Sequence, residues 1–142
     1  MTMTSDAPTV DTPTRSTPKG MLWTGRVISA IPVLMMGGVG AAMLITSPDK
    51  IAEGMTQYGY PANVGRPLVI IEIICAILYA IPQTAVLGAI LLTGYLGGAV
   101  ATHVHAGEPW GKWIFPVIFG AIVWLGLFLR DARVRALVPF RR

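Results

Sequence analysis

The sequence predicts an all-α fold: a membrane four-helix bundle with antiparallel neighbouring spans. Three observations carry that expectation. The chain has 142 residues, of which 54% are hydrophobic and only 13% charged, against about 25% charged in a typical soluble domain. The apolar residues fall into four runs separated by polar or turn-forming segments. The basic residues are distributed unevenly about those runs. So small a chain needs polar surface to cover a core in water, and the excess apolar surface here calls for lipid. The lipid bilayer is therefore the first expected partner.

The first segment, residues 1–20, stands apart as a predicted disordered tail, rich in Thr, Ser and Pro. It lacks the large apolar side chains that would offset the entropy of ordering. No signal-peptide core precedes Met21, where the expected transmembrane domain, residues 21–142, begins.

Leu22 to Thr46 is long enough to span, since about 20 helical residues cross the hydrocarbon core. Leu68 to Ile81 is short alone, but its helix can start near Asn63 because Pro67 is tolerated in a first turn. Thr84 to Val104 and Ile114 to Leu129 complete the set. The runs do not alternate as strands of a barrel would. Only Pro82-Gln83 separates the second run from the third, which predicts neighbouring antiparallel helices, with Thr84 as an N-cap. Ser47-Pro48-Asp49 reads as another helix start. Ile51, Met55 and Tyr58 then form one apolar stripe, suited to a short helix on the membrane surface and ended by Tyr58-Gly59-Tyr60-Pro61.

Four spans place both termini on one side. That side holds Arg15, Lys19, Arg26, Arg130, Arg133, Arg135, Arg141 and Arg142, whereas Lys50, Arg66 and Lys112 lie on the other. The excess of basic residues predicts cytoplasmic termini. The basic tail reads as an orientation anchor, with anionic-lipid binding as the functional alternative. These residues flank a membrane helix and form no recognition motif, so no nucleic acid is expected as a partner.

The single cysteine, Cys75, sits inside an apolar run and reads as a small buried side chain; one cysteine supports no internal disulfide chemistry. Gly94 with Gly98, Gly37 with Ala41 and Gly38 with Ala42 are small-x-x-x-small pairs. Their spacing predicts close helix packing within the bundle, or dimerisation through one of these faces into a homo-oligomer. Leucine at Gly94 or Gly98 is then expected to disrupt the bundle, and Val123 is expected to face lipid.

Glu72 is the ionisable residue that stands out, because an intramembrane carboxylate must be neutral, paired or wet. Counting from the Pro82-Gln83 turn at about 1.5 Å per residue, Glu72 lies roughly 15 Å deep and Tyr95 roughly 16 Å. The two are expected to share one level, with a neutral Glu72 hydrogen-bonded to the Tyr95 hydroxyl beside the opening left by Gly94, Gly97 and Gly98. Arg26, about 6 Å into the first run, is the weaker alternative partner. The expected polar site is thus Glu72, Tyr95, Gly94 and Gly98, with ligand binding and a structural role both open.

His103 and His105 end the third run near Glu108. Positions i and i+2 point about 200° apart on a helix, so a shared metal requires a frayed end. Solvated interface histidines are the favoured reading, and neither haem nor metal is predicted. No Walker loop, dinucleotide fingerprint, zinc motif or nucleophile elbow is present, so no catalytic residue is assigned.

The stretch Pro82-Gln83-Thr84-Ala85-Val86-Leu87-Gly88-Ala89-Ile90-Leu91-Leu92-Thr93-Gly94-Tyr95-Leu96-Gly97-Gly98-Ala99, followed by Thr102-His103-Val104, resembles the DoxX-like family of bacterial membrane proteins. So do Gly59-Tyr60-Pro61, Glu72 and the ending Trp124-Leu125-Gly126-Leu127-Phe128-Leu129-Arg130-Asp131. The resemblance covers about residues 20 to 140. It implies a four-helix bundle in the bacterial inner membrane and a link to quinone, catechol or redox-stress handling. The functional expectation is an accessory subunit of a membrane redox complex, with an oxidoreductase partner, or a binder of quinone-like hydrophobic molecules. Quinone is accordingly the candidate cofactor. Without a redox-active cysteine pair or a haem ligand pair, the chain is not expected to be an enzyme on its own. The alternative from another class is a small proton-coupled transporter or exporter, built by oligomerisation around Glu72.

Overall fold

A computed structural model describes residues 18–137. Residues 1–17 of the expected tail 1–20 and the basic end from residue 138 lie outside the described residues, whereas Lys19 and Gly20, assigned to the tail by the sequence, begin the first helix. Within them the chain is helical. Helix α1 (Lys19–Pro32) runs through a π-helical segment (Val33–Gly38) into α2 (Val39–Thr46). These are followed by α3 (Pro48–Gln57), a 3-10 turn (Ala62–Val64), α4 (Gly65–Ala80), α5 (Ala85–His105), α6 (Trp110–Arg130) and α7 (Ala132–Leu137). Four stretches are long and apolar enough to cross a membrane: Lys19–Thr46, Ala62–Ala80, Ala85–His105 and Trp110–Arg130. They correspond to the four sequence runs, extended by a turn or less at most ends.

The first span packs through α1 on α6, and through its π segment and α2 on α4; α5 lies against both α4 and α6. The core contains Tyr79, Leu92, Val123 and Leu127, all fully buried, with Cys75 beside them. Val123 therefore faces the bundle core, not lipid. Its position on α6 turns it toward Tyr79, whose hydroxyl donates to its carbonyl at 2.7 Å.

Small residues set the close approaches, at Gly37 where the spacing predicts one and otherwise at glycines outside the predicted pairs. A Cβ on Gly88 would lie 2.5 Å from Tyr79 Cα across the α4–α5 turn. A Cβ on Gly25 would lie 2.7 Å from the Arg130 amide nitrogen. One on Gly126 would meet Ser29 Oγ at 2.5 Å, and one on Gly37 would meet the Ala76 methyl at 3.1 Å. Among the described residues Gly38, Gly94, Gly97 and Gly98 meet nothing within 4 Å. The expected packing role of Gly94 and Gly98 is therefore overturned. Among the described residues no helix packs on their small-x-x-x-small face, which borders a cavity.

Two predicted caps also act differently. Thr84 occupies the N-cap position of α5 without a capping bond. Its hydroxyl instead donates back to the Leu78 carbonyl at 2.7 Å, tying α5 to the end of α4. Ser47 precedes α3 without a side-chain cap, and Pro48 takes the first turn. The α3 stripe turns toward the bundle: Ile51 is buried, and Ile51 and Met55 close over Gly65.

The first span is interrupted where its own sequence weakens the ladder. Pro32 has no N–H to donate and Gly37-Gly38 favours helix poorly, and the π segment begins just after the proline and ends on the glycine pair. Pro116 is buried within the continuous helix α6 and removes one N–H from its ladder.

Candidate functional site

Glu72 on α4 and Tyr95 on α5 meet inside the bundle. Tyr95 Oη donates to Glu72 Oε2 at 2.8 Å. Their depths match because both helices are measured from the same short turn. Arg26 is not a partner of Glu72; it sits at the end of α1 nearer Arg130.

Two cavities flank this pair. The smaller, about 200 Å³, is walled by Glu72, Tyr95, Met35 and Met36 of the π segment, and Phe115, Pro116 and Phe119 of α6. The π segment and Pro116 thus both border the space beside Glu72. The larger, about 450 Å³, is lined by Gly94, Tyr95, Gly98, Ala99, Thr102 and His103 of α5, with Leu68 of α4 and Met55, Tyr58 and Tyr60 from the α3 end. Tyr95, Ala99 and His103 belong to both walls. Gly94 and Gly98 lie one helical turn apart, so a strip of α5 without side chains faces the larger space. Gly97 points elsewhere and lines neither cavity.

The mouth of the larger cavity is built by two matching helix ends. Helix α3 ends at Gly59 with φ +78°, and Tyr60 N–H bonds back to Met55 O at 3.0 Å. Helix α5 ends at Gly107 with φ +67°, and Glu108 N–H bonds back to His103 O at 3.1 Å. In each the glycine takes the left-handed conformation that closes a Schellman turn. The second turn folds Glu108 over His103, and His103 Nδ1 is hydrogen-bonded to Glu108 Oε2. The first turn presents Tyr58, whose hydroxyl donates to the same carboxylate at 3.3 Å. The Tyr58 and His103 rings meet edge-on with centroids 5.4 Å apart. Burial, and secondarily the Glu108 charge, pushes the Tyr58 hydroxyl above its ordinary pKa, so it remains a proton donor at neutral pH. Beside it, Tyr60 donates to Thr102 Oγ1 at 3.1 Å, because the Thr102 proton is already given to the Gly98 carbonyl.

Residues 27–126 match the sequence model of the DoxX-like family. The chain belongs to the DoxX-like family. No curated protein and no solved structure matches it. Membership, together with four span-capable helices, makes this an integral, multi-pass membrane protein.

In this DoxX-like chain the structure brings Glu72, Tyr95, Gly94 and Gly98 to one place, with the glycines as cavity wall. His105 is exposed and apart from His103. Among the described residues no three His, Cys, Asp or Glu side chains gather as a metal site. The sequence reading placed Tyr58 and Tyr60 at the membrane interface and did not bring them to this mouth. Their signal was present as a glycine one residue beyond Tyr58, paired with Gly107 before Glu108-Pro109. Both are C-terminal helix stops that fold the next side chain back.

Proposed function

We propose that this DoxX-like protein binds a small hydrophobic molecule with a quinone-like polar ring in the 450 Å³ cavity. The observation that carries the reading is that Gly94 and Gly98 leave unfilled space on the face of α5 that bears Tyr95. The volume falls in the range of small-molecule sites, about 300–1,000 Å³, and the walls are mainly apolar with a few convergent polar groups. Tyr95 gives its proton to Glu72, which leaves its oxygen as an acceptor facing a ring hydroxyl. That favours the reduced, hydroxyl-bearing form of such a ring. Glu72 acts as the group that orients Tyr95. In this reading the protein serves a membrane redox complex as an accessory subunit, by holding a ligand and not by catalysing its conversion.

The test is titration of the purified protein in detergent with a short-chain quinol, read as a saturable rise in thermal stability. Gly94→Leu should fill the cavity and weaken binding about tenfold or more while the protein stays folded. Glu72→Gln should keep most of the binding, because the amide oxygen still accepts from Tyr95, and Glu72→Ala should lose it. Equal quinol affinity in wild type and Gly94→Leu would overturn the reading.

The excess of basic residues near the two termini supports a cytoplasmic location for both ends in a bacterial inner membrane. Cysteines placed within residues 47–66 or 103–112, in a Cys75→Ser background, should react with an impermeant thiol reagent in intact cells. Labelling confined to the C-terminal end would reverse the orientation.

A further inference from the structure

At the opposite end of the bundle, α1, the α4–α5 turn and the end of α6 enclose a cleft of about 100 Å³. Arg26 and Arg130 line it, with Leu22, Pro82 and Asp131 among their neighbours. Both arginines border this space, and Gly25, next to Arg26 in the chain, lets α1 pack directly against the α6 backbone at Arg130. Any side chain at residue 25 would push α1 away from α6 at this point.

Among the described residues neither arginine forms an ion pair, and the cleft holds more basic than acidic side chains. Among the described residues the ion-pair geometry is met only by His103 with Glu108, far along the bundle. Arg130 Nη2 donates to the Tyr79 carbonyl at 2.5 Å and its guanidinium lies 4.6 Å from the Tyr79 ring centroid, so the group is held in place by neutral partners. Its Nε is buried without a hydrogen-bond partner among the described residues. Among the described residues Asp131 is the one acid of the cleft, and its Oδ1 accepts from the Arg133 backbone N–H at the start of α7. Arg26 is exposed and lies 6.0 Å from the centroid of the Trp23 ring, which is itself 66% exposed. Exposed tryptophan beside arginine at the end of a span is the composition of a headgroup-level surface.

We propose that the Arg26–Arg130 cleft binds a phosphate group, supplied by an anionic phospholipid headgroup. Guanidinium forks match phosphate oxygens in geometry and charge, and basic pockets between transmembrane helices recognise such headgroups. The bound phosphate bridges α1 and α6 and offsets the charge of both arginines. This site is independent of the cavity beside Tyr95.

The experiment adds phosphatidylglycerol, phosphatidylcholine or inorganic phosphate to the delipidated full-length protein in neutral detergent. Lipid retention is read by native mass spectrometry and stability by thermal unfolding. Phosphatidylglycerol should be retained and stabilising, phosphatidylcholine much less so. R26Q, a change at an exposed side chain, should unfold at the same temperature as wild type without lipid and bind phosphatidylglycerol about tenfold more weakly. R26K, which keeps the charge and loses the fork, should fall between them. Inorganic phosphate producing the same R26Q-sensitive stabilisation would assign the site to a free anion and retain the phosphate chemistry. Equal retention of the two lipids by wild type, or phosphatidylglycerol binding unchanged in R26Q, overturns the proposal.

Discussion

Gly88→Ala is expected to destabilise the bundle by about 2–3 kcal/mol, whereas Gly94→Ala should leave it unchanged or stabilise it by up to about 1 kcal/mol. Both glycines lie in α5 and both substitutions favour helix equally, since alanine exceeds glycine by about 1 kcal/mol in helix propensity. They differ in what the new methyl meets. At residue 88 it would lie 2.5 Å from Tyr79 Cα and 2.7 Å from the Leu78 carbonyl carbon. Those are backbone atoms, so no rotamer change relieves the overlap. The α4–α5 turn would have to open, which also strains the Thr84 hydroxyl bond to Leu78. At residue 94 nothing lies within 4 Å. Thermal or denaturant unfolding of both variants in the same detergent makes the comparison. Equal stability of Gly88→Ala and wild type would show that the α4–α5 contact is looser than drawn.

That contrast marks where sequence reasoning stops. The four spans were legible because a run of about 20 apolar residues is a property of the chain alone. The shared depth of Glu72 and Tyr95 was legible because a short turn fixes two helices at one end and the helical rise does the rest. The facing of the glycines was not legible. Gly94 and Gly98 satisfy the small-x-x-x-small spacing, but spacing says only that a strip of helix lacks side chains. Whether a neighbouring helix or a cavity lies opposite depends on rotation about the helix axis, which an all-apolar span does not reveal. The same ambiguity placed Val123 at the lipid, since α6 is apolar on every side. Gly88 and Gly25 make their close contacts without belonging to any of the pairs the spacing singled out. The mouth of the larger cavity depends on two turns, at Gly59 and Gly107, and its long-range pairing joins residues about fifty positions apart in the chain.

Tyr79 was read only as part of an apolar run, and its replacement should have the other large effect. Tyr79→Ala is expected to cost about 3–5 kcal/mol. The side chain is fully buried in the core cluster, and removal leaves a void among Val123, Leu127 and Cys75. In lipid the scale is set by lost packing, because apolar side chains gain little by leaving a hydrocarbon solvent. The ring also carries the Arg130 guanidinium 4.6 Å from its centroid, and that charge would lose its aromatic partner. The hydroxyl is a smaller, separable part. Its one proton goes to the Val123 carbonyl at 2.7 Å, so Ser29 Oγ, 3.0 Å away, donates to it. Tyr79→Phe should therefore cost about 1 kcal/mol, the scale of hydrogen bonds between membrane helices. Most of that cost comes from Ser29, which is 3% exposed and left without its acceptor. Ser29→Ala in the Tyr79→Phe background should then add little, because the second change removes a donor already orphaned. Unfolding measurements on the two single variants and the double variant close the cycle. Strictly additive costs would mean that Ser29 and Tyr79 do not act as a pair, and that α1 is held to α6 by packing, including the close approaches at Gly25 and Gly126.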